Sequence, residues 1–361
     1  MIFLIDNSYT IWIPLIALNK KYFTSSRYNY VLAFDMFIFF LTTISILRAI
    51  YIMIKHKKFH ANLRIILMFQ ISQWFEIVLA RWFLFPYLIG DISLGDPLTI
   101  YKHYWTDKVE LMVPITSDML ISNWKLFFGG FLYYHHQASC IFFLLSVSVE
   151  RAVASYYLSD YEKSTRPYIS ILIITLSMLF STGYSLIFAL NFFTFAASTF
   201  TIFLISGSSV SLYYFVYYYN TRIKILNEKN ASKGDYSLAR RFQTMENLKS
   251  LKMAKWVLTT HAVYVFICQI DLLCIYFLMD TKYWETFAYI EDAIVHYSNL
   301  IIVIIILLSV PKWKAVFLKW FCFVRRLTIN NKISVTEEID PDVVARRVAE
   351  EHFEHLGKAW S

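Results

Sequence analysis

Ionisable and amide side chains interrupt four long apolar stretches of this 361-residue sequence. Taken stretch by stretch, they are Gln70, Gln73, Glu76 and Arg81; His135, His136 and Gln137; Gln269 and Asp271; and Glu291, Asp292, His296 and Asn299. Ionisable groups are costly inside a bilayer, so each one invites a functional interpretation. Carboxylates and imidazoles together suit a small polar or mildly basic ligand. The alternative is that the groups pair between helices, as Glu76 with Arg81 or Asp292 with His296.

The depth of these side chains predicts a pocket in one half of a membrane. His135 lies about 11 residues, or about 17 Å along a helix, from Trp124 at the start of its stretch. Asp271 and His296 each lie about eight residues from the outer end of the apolar stretch that contains them. The sequence therefore predicts ligand contacts in the outer half of a helix bundle. The predicted contacts are Glu76, Arg81, His135, His136, Gln137, Gln269, Asp271, Asp292 and His296.

A second polar feature, Glu150-Arg151, stands where the stretch that begins at Trp124 ends. At the inner end of the third span of a seven-helix receptor, such a pair can form an ionic lock. The carboxylate neutralises the guanidinium at rest, and the guanidinium meets a G-protein subunit once the helices part. An arginine here is also favoured by the helix dipole and by the basic bias of cytoplasmic loops.

Seven apolar stretches of bilayer length must position these groups. The chain is 58% hydrophobic and 17% charged, which indicates a polytopic membrane protein and not a soluble domain. Apolar runs predict spanning helices over 30–54, 63–89, 124–149, 168–190, 195–219, 254–279 and 288–310. The predicted fold is all-α, a seven-transmembrane helix bundle of the G-protein-coupled-receptor type over residues 30–310, with an amphipathic C-terminal helix.

The basic residues predict the orientation of the bundle. Loops 55–64, 150–167 and 220–255 and the tail after Pro311 together hold 25 Lys and Arg residues, against six on the other side. Basic loops stay in the cytoplasm. Residues 1–29 are therefore predicted to be extracellular, and residues 311–361 to form a cytoplasmic juxtamembrane helix and tail.

Other functional classes lack their motifs in this sequence. It has no Gly-rich phosphate loop, GxSxG or CxxC, and its histidine pairs cannot meet at one face as a di-iron membrane enzyme requires. We therefore predict no enzyme, no catalytic residue, no metal site and no cofactor. The basic charge is interpreted as a topology signal and not as a nucleic-acid surface. The pair Gly129-Gly130 predicts close helix packing.

Beyond Pro311 the sequence predicts a helix that lies in the inner membrane interface. Aromatic side chains alternate with lysines over 312–321, as in amphipathic interfacial helices. Cys322 follows, where S-palmitoylation and a buried unmodified thiol are equally consistent with the sequence. A second short helix is predicted within 341–360.

Two segments resemble the nematode serpentine receptors of class epsilon, which are seven-transmembrane chemosensory receptors. They are 148–162 with the following 166–169, and the tail 350–360. By layout the resemblance covers essentially the whole chain. It implies a receptor in the plasma membrane of sensory neurons, including their cilia, that binds an external small molecule and couples to a heterotrimeric G protein.

The sequence departs from the rhodopsin-like pattern of such receptors. No cysteine stands at the outer start of the third span, the sixth span lacks Cys-Trp-x-Pro, and the seventh lacks Asn-Pro-x-x-Tyr. Of that pattern only Glu150-Arg151 is present, without the tyrosine that usually follows. The alternative functions are a ligand-gated cation channel, whose N-terminus would lie inside, and a transporter, which would show paired halves and broken helices.

Overall fold

A computed structural model describes residues 1–15, 18–19, 26–57, 60–157, 166–231, 238–278 and 283–320. Residues Met1–Lys314 form one compact unit. In chain order the strands and α-helices are β1 Ile2–Ile5, β2 Tyr9–Trp12, α1 Ser26–Lys55, α2 Ala61–Ser72, α3 Trp74–Leu88, β3 Val113–Ile115, α4 Ser117–Ser122, α5 Trp124–Tyr156, α6 Pro167–Ala189, α7 Phe195–Ala231, α8 Leu238–Leu278, α9 Trp284–Leu308 and α10 Pro311–Trp320.

Within the described residues, seven helical segments are long and apolar enough to cross a membrane, which confirms the predicted fold. One of them, Ala61–Leu88, consists of α2 and α3 with an interruption at Gln73. Three helices continue past the predicted spans: α5 to Tyr156, α7 to Ala231, and α8 from Leu238. The prediction stopped short because hydropathy detects the part of a helix that lies in lipid and not its polar turns beyond.

Helix α5 lies at the centre of the bundle. In its apolar segment 78% of residues are buried, against 22% for α6 and for α7, whose outer surfaces are left to lipid. It packs against α2, α3, α6, α7 and α8. Gly129 permits the close approach of α3, because a Cβ there would lie 2.9 Å from Cβ of Phe83. The prediction of close helix packing is confirmed for Gly129, whereas Gly130 faces Ile13 of the N-terminal segment.

A three-stranded sheet at one end of the bundle was missing from the sequence prediction. Strand β1 pairs antiparallel with β2 and parallel with β3. The hairpin turns where Asp6 and Asn7 have φ angles of 46° and 55°, a left-handed region that Asp and Asn enter more readily than other side chains. The indole of Trp12 is buried and donates a 3.1 Å hydrogen bond to the backbone oxygen of Tyr104. We call this end of the bundle the sheet end.

The other end, where α5 terminates and α10 begins, is called here the α10 end. Trp313 is fully buried, and its indole donates a 3.0 Å hydrogen bond to the backbone oxygen of His56. Lys312 and Lys314 on either side are exposed, so this helix is amphipathic as predicted. Cys322 and the helix predicted within 341–360 lie outside the described residues.

Candidate functional site

A small cavity of about 30 Å³ lies among α5, α6, α7, α8 and α9. Five aromatic side chains that line it are Tyr104, Tyr134, Phe188, Phe195 and Tyr264. Tyr104 belongs to the segment at the sheet end, and burial raises the pKa of its phenol, which stays neutral. Ligand pockets usually have about 300–1,000 Å³, so this cavity is too small for a whole ligand and must widen to admit one.

Helix α5 presents His135 to two neighbouring helices at once. Its Nδ1 lies 2.9 Å from a carboxylate oxygen of Glu76 on α3, and its Nε2 lies 3.2 Å from the hydroxyl of Thr182 on α6. The imidazole is buried, with a side-chain exposure of 4%. The structure therefore brings two of the predicted ligand contacts together as a hydrogen-bonded pair outside the cavity.

Arg81 joins α3 to α1 and α9. Its guanidinium lies 3.4 Å from a carboxylate oxygen of Asp35 and 3.7 Å from one of Asp292. His296 follows Asp292 by one helical turn, with Nδ1 3.2 Å from the carboxylate, so the alternative pairing considered for these two residues is present. The hydroxyl of Tyr297 donates to Asp35. This network ties three helices together and leaves its predicted ligand contacts engaged with one another.

His136 faces the bundle interior opposite α9. Its Nε2 lies 3.3 Å from the amide nitrogen of Asn299 and 3.7 Å from the thiol of Cys140, one turn along α5. The same thiol accepts a 3.5 Å contact from the Gln70 amide of α2. The side chain of His136 is fully buried, so its contacts in the described structure are with other helices.

The cavity itself holds a different set of polar groups. Gln137 and Gln269 line it, and the other seven predicted ligand contacts do not. The amide of Gln137 donates a 3.2 Å hydrogen bond to Oε1 of Glu291 on α9. Oε2 of Glu291 and Oδ2 of Asp271 are buried without a hydrogen-bond partner among the described residues. Glu291 stood out in the sequence as an intramembrane carboxylate, but the spacing gave no reason to assign it to the ligand.

At the α10 end, Glu150 and Arg151 are both buried. Arg151 donates from Nε and Nη2 to the two carboxylate oxygens of Glu150, at 2.5 Å each. Its Nη1 donates a 3.2 Å hydrogen bond to the side-chain oxygen of Asn247 on α8. The structure thus places the predicted acid–arginine pair together on α5 and adds a neutral partner from another helix.

Asn247 belongs to a polar network that joins α5, α7 and α8. Its amide nitrogen donates 2.8 Å to Asn220 on α7 and 3.1 Å to Ser155 on α5. Asn220 in turn donates 2.7 Å to Ser155. Nearby, the hydroxyl of Tyr213 on α7 donates 2.5 Å to a backbone oxygen of α8. The sequence did not point to Asn220 or Asn247, because both lie within 220–255, which was interpreted as a basic loop.

The described part of the chain shows no metal site. No group of three or more His, Cys, Asp or Glu there could hold a metal ion. Cys140, Cys268 and Cys274 are free thiols. The groups gathered in the bundle are suited to hydrogen bonding and charge pairing between helices.

Comparison with known proteins assigns these features to a family. The sequence profile of the Sre G protein-coupled chemoreceptor family matches residues 1–361. The chain belongs to the Sre family. The resemblance noted in the sequence is thereby confirmed, and the chain is a multi-pass membrane protein of a family that does not consist of enzymes.

Three relatives in Caenorhabditis elegans match over nearly their full length. Serpentine receptor class epsilon-37 of Caenorhabditis elegans is 28% identical, over 100% of this chain and 99% of its own. Class epsilon-38 of the same organism is 28% identical over 97% of both chains, and class epsilon-45 is 26% identical over 100% of both. No solved structure matches the chain.

Proposed function

We propose that this Sre family member is a plasma-membrane receptor, such as one of a sensory cilium, with the sheet end outside and the α10 end in the cytoplasm. It binds a small molecule from outside and activates a heterotrimeric G protein. The excess of basic residues in the segments of the α10 end supports this orientation. The family description supports the coupling.

The observation that carries the proposal is the buried Arg151. Its side chain is 2% exposed and that of Glu150 is fully buried. A buried ion pair returns little net stability, because desolvation offsets the attraction. A charged pair at the junction of α5 and α8 is therefore better explained as a switch: the guanidinium is held inside at rest and released to a G protein when α8 moves away.

Helix α8 links the cavity to this switch. Tyr264, Cys268 and Gln269 of α8 line the cavity, and Asn247 of the same helix contacts Arg151. Tyr264 and Asn247 are about 26 Å apart along the helix at 1.5 Å per residue. A ligand that widens the cavity displaces α8 at the sheet end, and a continuous helix carries that displacement to the Asn247 contact as a rigid-body shift.

The direct experiment measures nucleotide exchange on G proteins in membranes that contain the receptor, with a panel of Gα subunits. Arg151→Ala, compared with the native chain at equal amounts of receptor at the cell surface, is expected to abolish exchange, because the guanidinium that meets the G protein is lost. Arg222→Ala, a matched change at an exposed position of α7, is expected to retain exchange. Full activity of Arg151→Ala would contradict the proposal.

Topology separates a receptor from the inverted channel. A C-terminal epitope tag avoids the buried Met1 and is expected to bind antibody only after cells are permeabilised. The channel alternative places both termini the other way round, so a C-terminal tag accessible on intact cells would favour it.

A further inference from the structure

Glu291 carries a buried carboxylate oxygen that nothing in the described structure satisfies. The residue is 3% exposed, and the amide of Gln137 donates to its Oε1. Among the residues that the structure describes, Oε2 has no hydrogen-bond partner. A buried acceptor without a donor costs free energy, and a buried carboxylate costs more, so such an atom calls for a partner from outside the chain.

The surroundings of Glu291 favour a positively charged partner. Its electrostatic neighbours include the carboxyl groups of Asp271 and Asp292. None of the described side chains that line the cavity is basic. Aromatic side chains, Tyr134 and Tyr264 among them, line the same cavity, and the faces of aromatic rings attract cations. One carboxylate with aromatic walls matches an organic cation better than a hard metal ion, which takes six or more oxygen ligands.

We infer that the cavity receives the ammonium group of a small organic amine, with Oε2 of Glu291 as its counter-ion. This inference rests on the proposed function and names the chemical class of its ligand. The free space of about 30 Å³ is about the volume of one water molecule, which suits a bare ammonium group. The remainder of the amine must displace side chains that line the cavity. These include Tyr264, Cys268 and Leu272 of α8, and α8 is the helix that reaches Arg151.

The first test measures binding directly, without a G protein. Purified receptor in phosphatidylcholine nanodiscs is titrated with methylammonium, tetramethylammonium and 2-phenylethylammonium, with 2-phenylethanol as the neutral counterpart and sodium chloride as the inorganic cation. Thermal stability and calorimetry report binding. At least one ammonium compound is expected to bind about tenfold or more tightly than 2-phenylethanol, because a charge-assisted hydrogen bond is roughly twice as strong as a neutral one.

Two variants locate the site. Glu291→Gln keeps the shape of the side chain and a hydrogen-bond acceptor for Gln137 but removes the charge. Its affinity for the ammonium compound is expected to fall about tenfold or more, with no loss of thermal stability in the absence of ligand, since Oε2 makes no hydrogen bond in the described structure that the substitution could remove. Glu110→Gln is the matched control, the same change at an exposed side chain that does not line the cavity. It is expected to change the affinity by less than about threefold, since an exposed charge away from the cavity contributes little.

Three results would overturn the inference: no ammonium compound binds, Glu291→Gln binds it as tightly as the native chain, or sodium alone gives the full thermal shift. Failure of the proposed function has a different signature. Ammonium binding that depends on Glu291 without any nucleotide exchange would leave the site standing and refute the receptor mechanism. Nucleotide exchange driven by uncharged ligands alone would leave the receptor mechanism standing and refute the ammonium site.

Discussion

Replacing Asn247 with leucine tests how α8 is held against α5. The leucine side chain has a similar volume but cannot accept from Arg151 or donate to Asn220 and Ser155. The three contacts measure 3.2, 2.8 and 3.1 Å in the resting arrangement. Because the residue is 5% exposed, water does not replace them while α8 stays in place. The substitution therefore penalises the resting arrangement more than one in which α8 has moved and water reaches the freed groups.

The size of this effect follows from the three hydrogen bonds. A neutral hydrogen bond contributes about 1 kcal/mol net and one to a charged group about 1.5–3 kcal/mol. Leucine recovers part of this through apolar contact. A remaining loss of about 3 kcal/mol would shift the equilibrium towards the separated arrangement about a hundredfold. We expect Asn247→Leu to raise ligand-independent signalling by one to two orders of magnitude, up to the ceiling that the available G protein sets.

The assay is basal nucleotide exchange, normalised to the amount of receptor at the cell surface. Asn227→Leu is the matched control: Asn227 also joins α7 to α8, through a 3.3 Å hydrogen bond to Thr244, but does not contact Arg151. Loss of one neutral hydrogen bond is expected to change basal exchange by less than about fivefold. The double variant Asn247→Leu/Arg151→Ala is expected to be silent.

Basal exchange of Asn247→Leu at the native level, with normal surface expression, would refute the reasoning. It would mean that the polar network joining α5, α7 and α8 stabilises the fold without restraining the movement of α8. An increase of the same size in Asn227→Leu would equally show that the contact with Arg151 is not the restraint.

Two further predictions concern stability, measured as thermal unfolding of purified protein. Glu76→Leu removes the carboxylate beside His135 and is expected to lower the free energy of unfolding by about 1–3 kcal/mol. Thr182→Val, at the other imidazole nitrogen, should lower it by about 1 kcal/mol. Equal melting temperatures of Glu76→Leu and the native chain would contradict this prediction. Gly129→Ala places a methyl group against Phe83 and is expected to cost about 1–3 kcal/mol. At Gly207 an added Cβ would have no neighbouring atom within 4 Å, so Gly207→Ala should not lower the free energy of unfolding. A larger loss for Gly207→Ala than for Gly129→Ala would contradict the packing of α3 on α5.

The seven spans could be predicted from the sequence because hydropathy is a local property. About 20 apolar residues in a row can be counted without knowing what they touch. The lengths of α5, α7 and α8 could not be predicted, because their ends lie in polar sequence that can form either helix or loop. For this reason Asn247 was not predicted as a functional residue, since it falls in a stretch interpreted as a basic loop.

The contacts between side chains of different helices were the hardest feature to predict from the sequence. Glu76 and Arg81 are close in sequence, yet Glu76 contacts His135 of α5 and Arg81 contacts Asp35 of α1. These partners depend on how each helix is rotated against its neighbours, which one sequence does not contain. Asp292 and His296 could be paired in advance because a separation of four residues places both on one helix face.

The N-terminal hairpin left a weaker signal that could have been used. Two short runs rich in β-branched and aromatic residues flank Asp6 and Asn7, a pattern that favours a hairpin. This pattern lies in an apolar segment before a predicted span, and residues 1–29 were predicted only to be extracellular, without secondary structure. The sheet matters for the candidate site because Trp12 of β2 packs against Tyr104, Tyr134 and Phe188, three aromatic residues that line the cavity.

The most direct test of the central claim is the distance between α5 and α8 at the α10 end. Spin labels at Tyr156 and Met245, which are 82% and 38% exposed, report it by pulsed dipolar spectroscopy in nanodiscs, with the native accessible cysteines replaced by serine. The native receptor is expected to give one short distance, and Asn247→Leu a second population several ångströms longer, which grows when a G protein is added. A single unchanged distance in Asn247→Leu with the G protein bound would contradict the claim that α8 leaves Arg151 on activation.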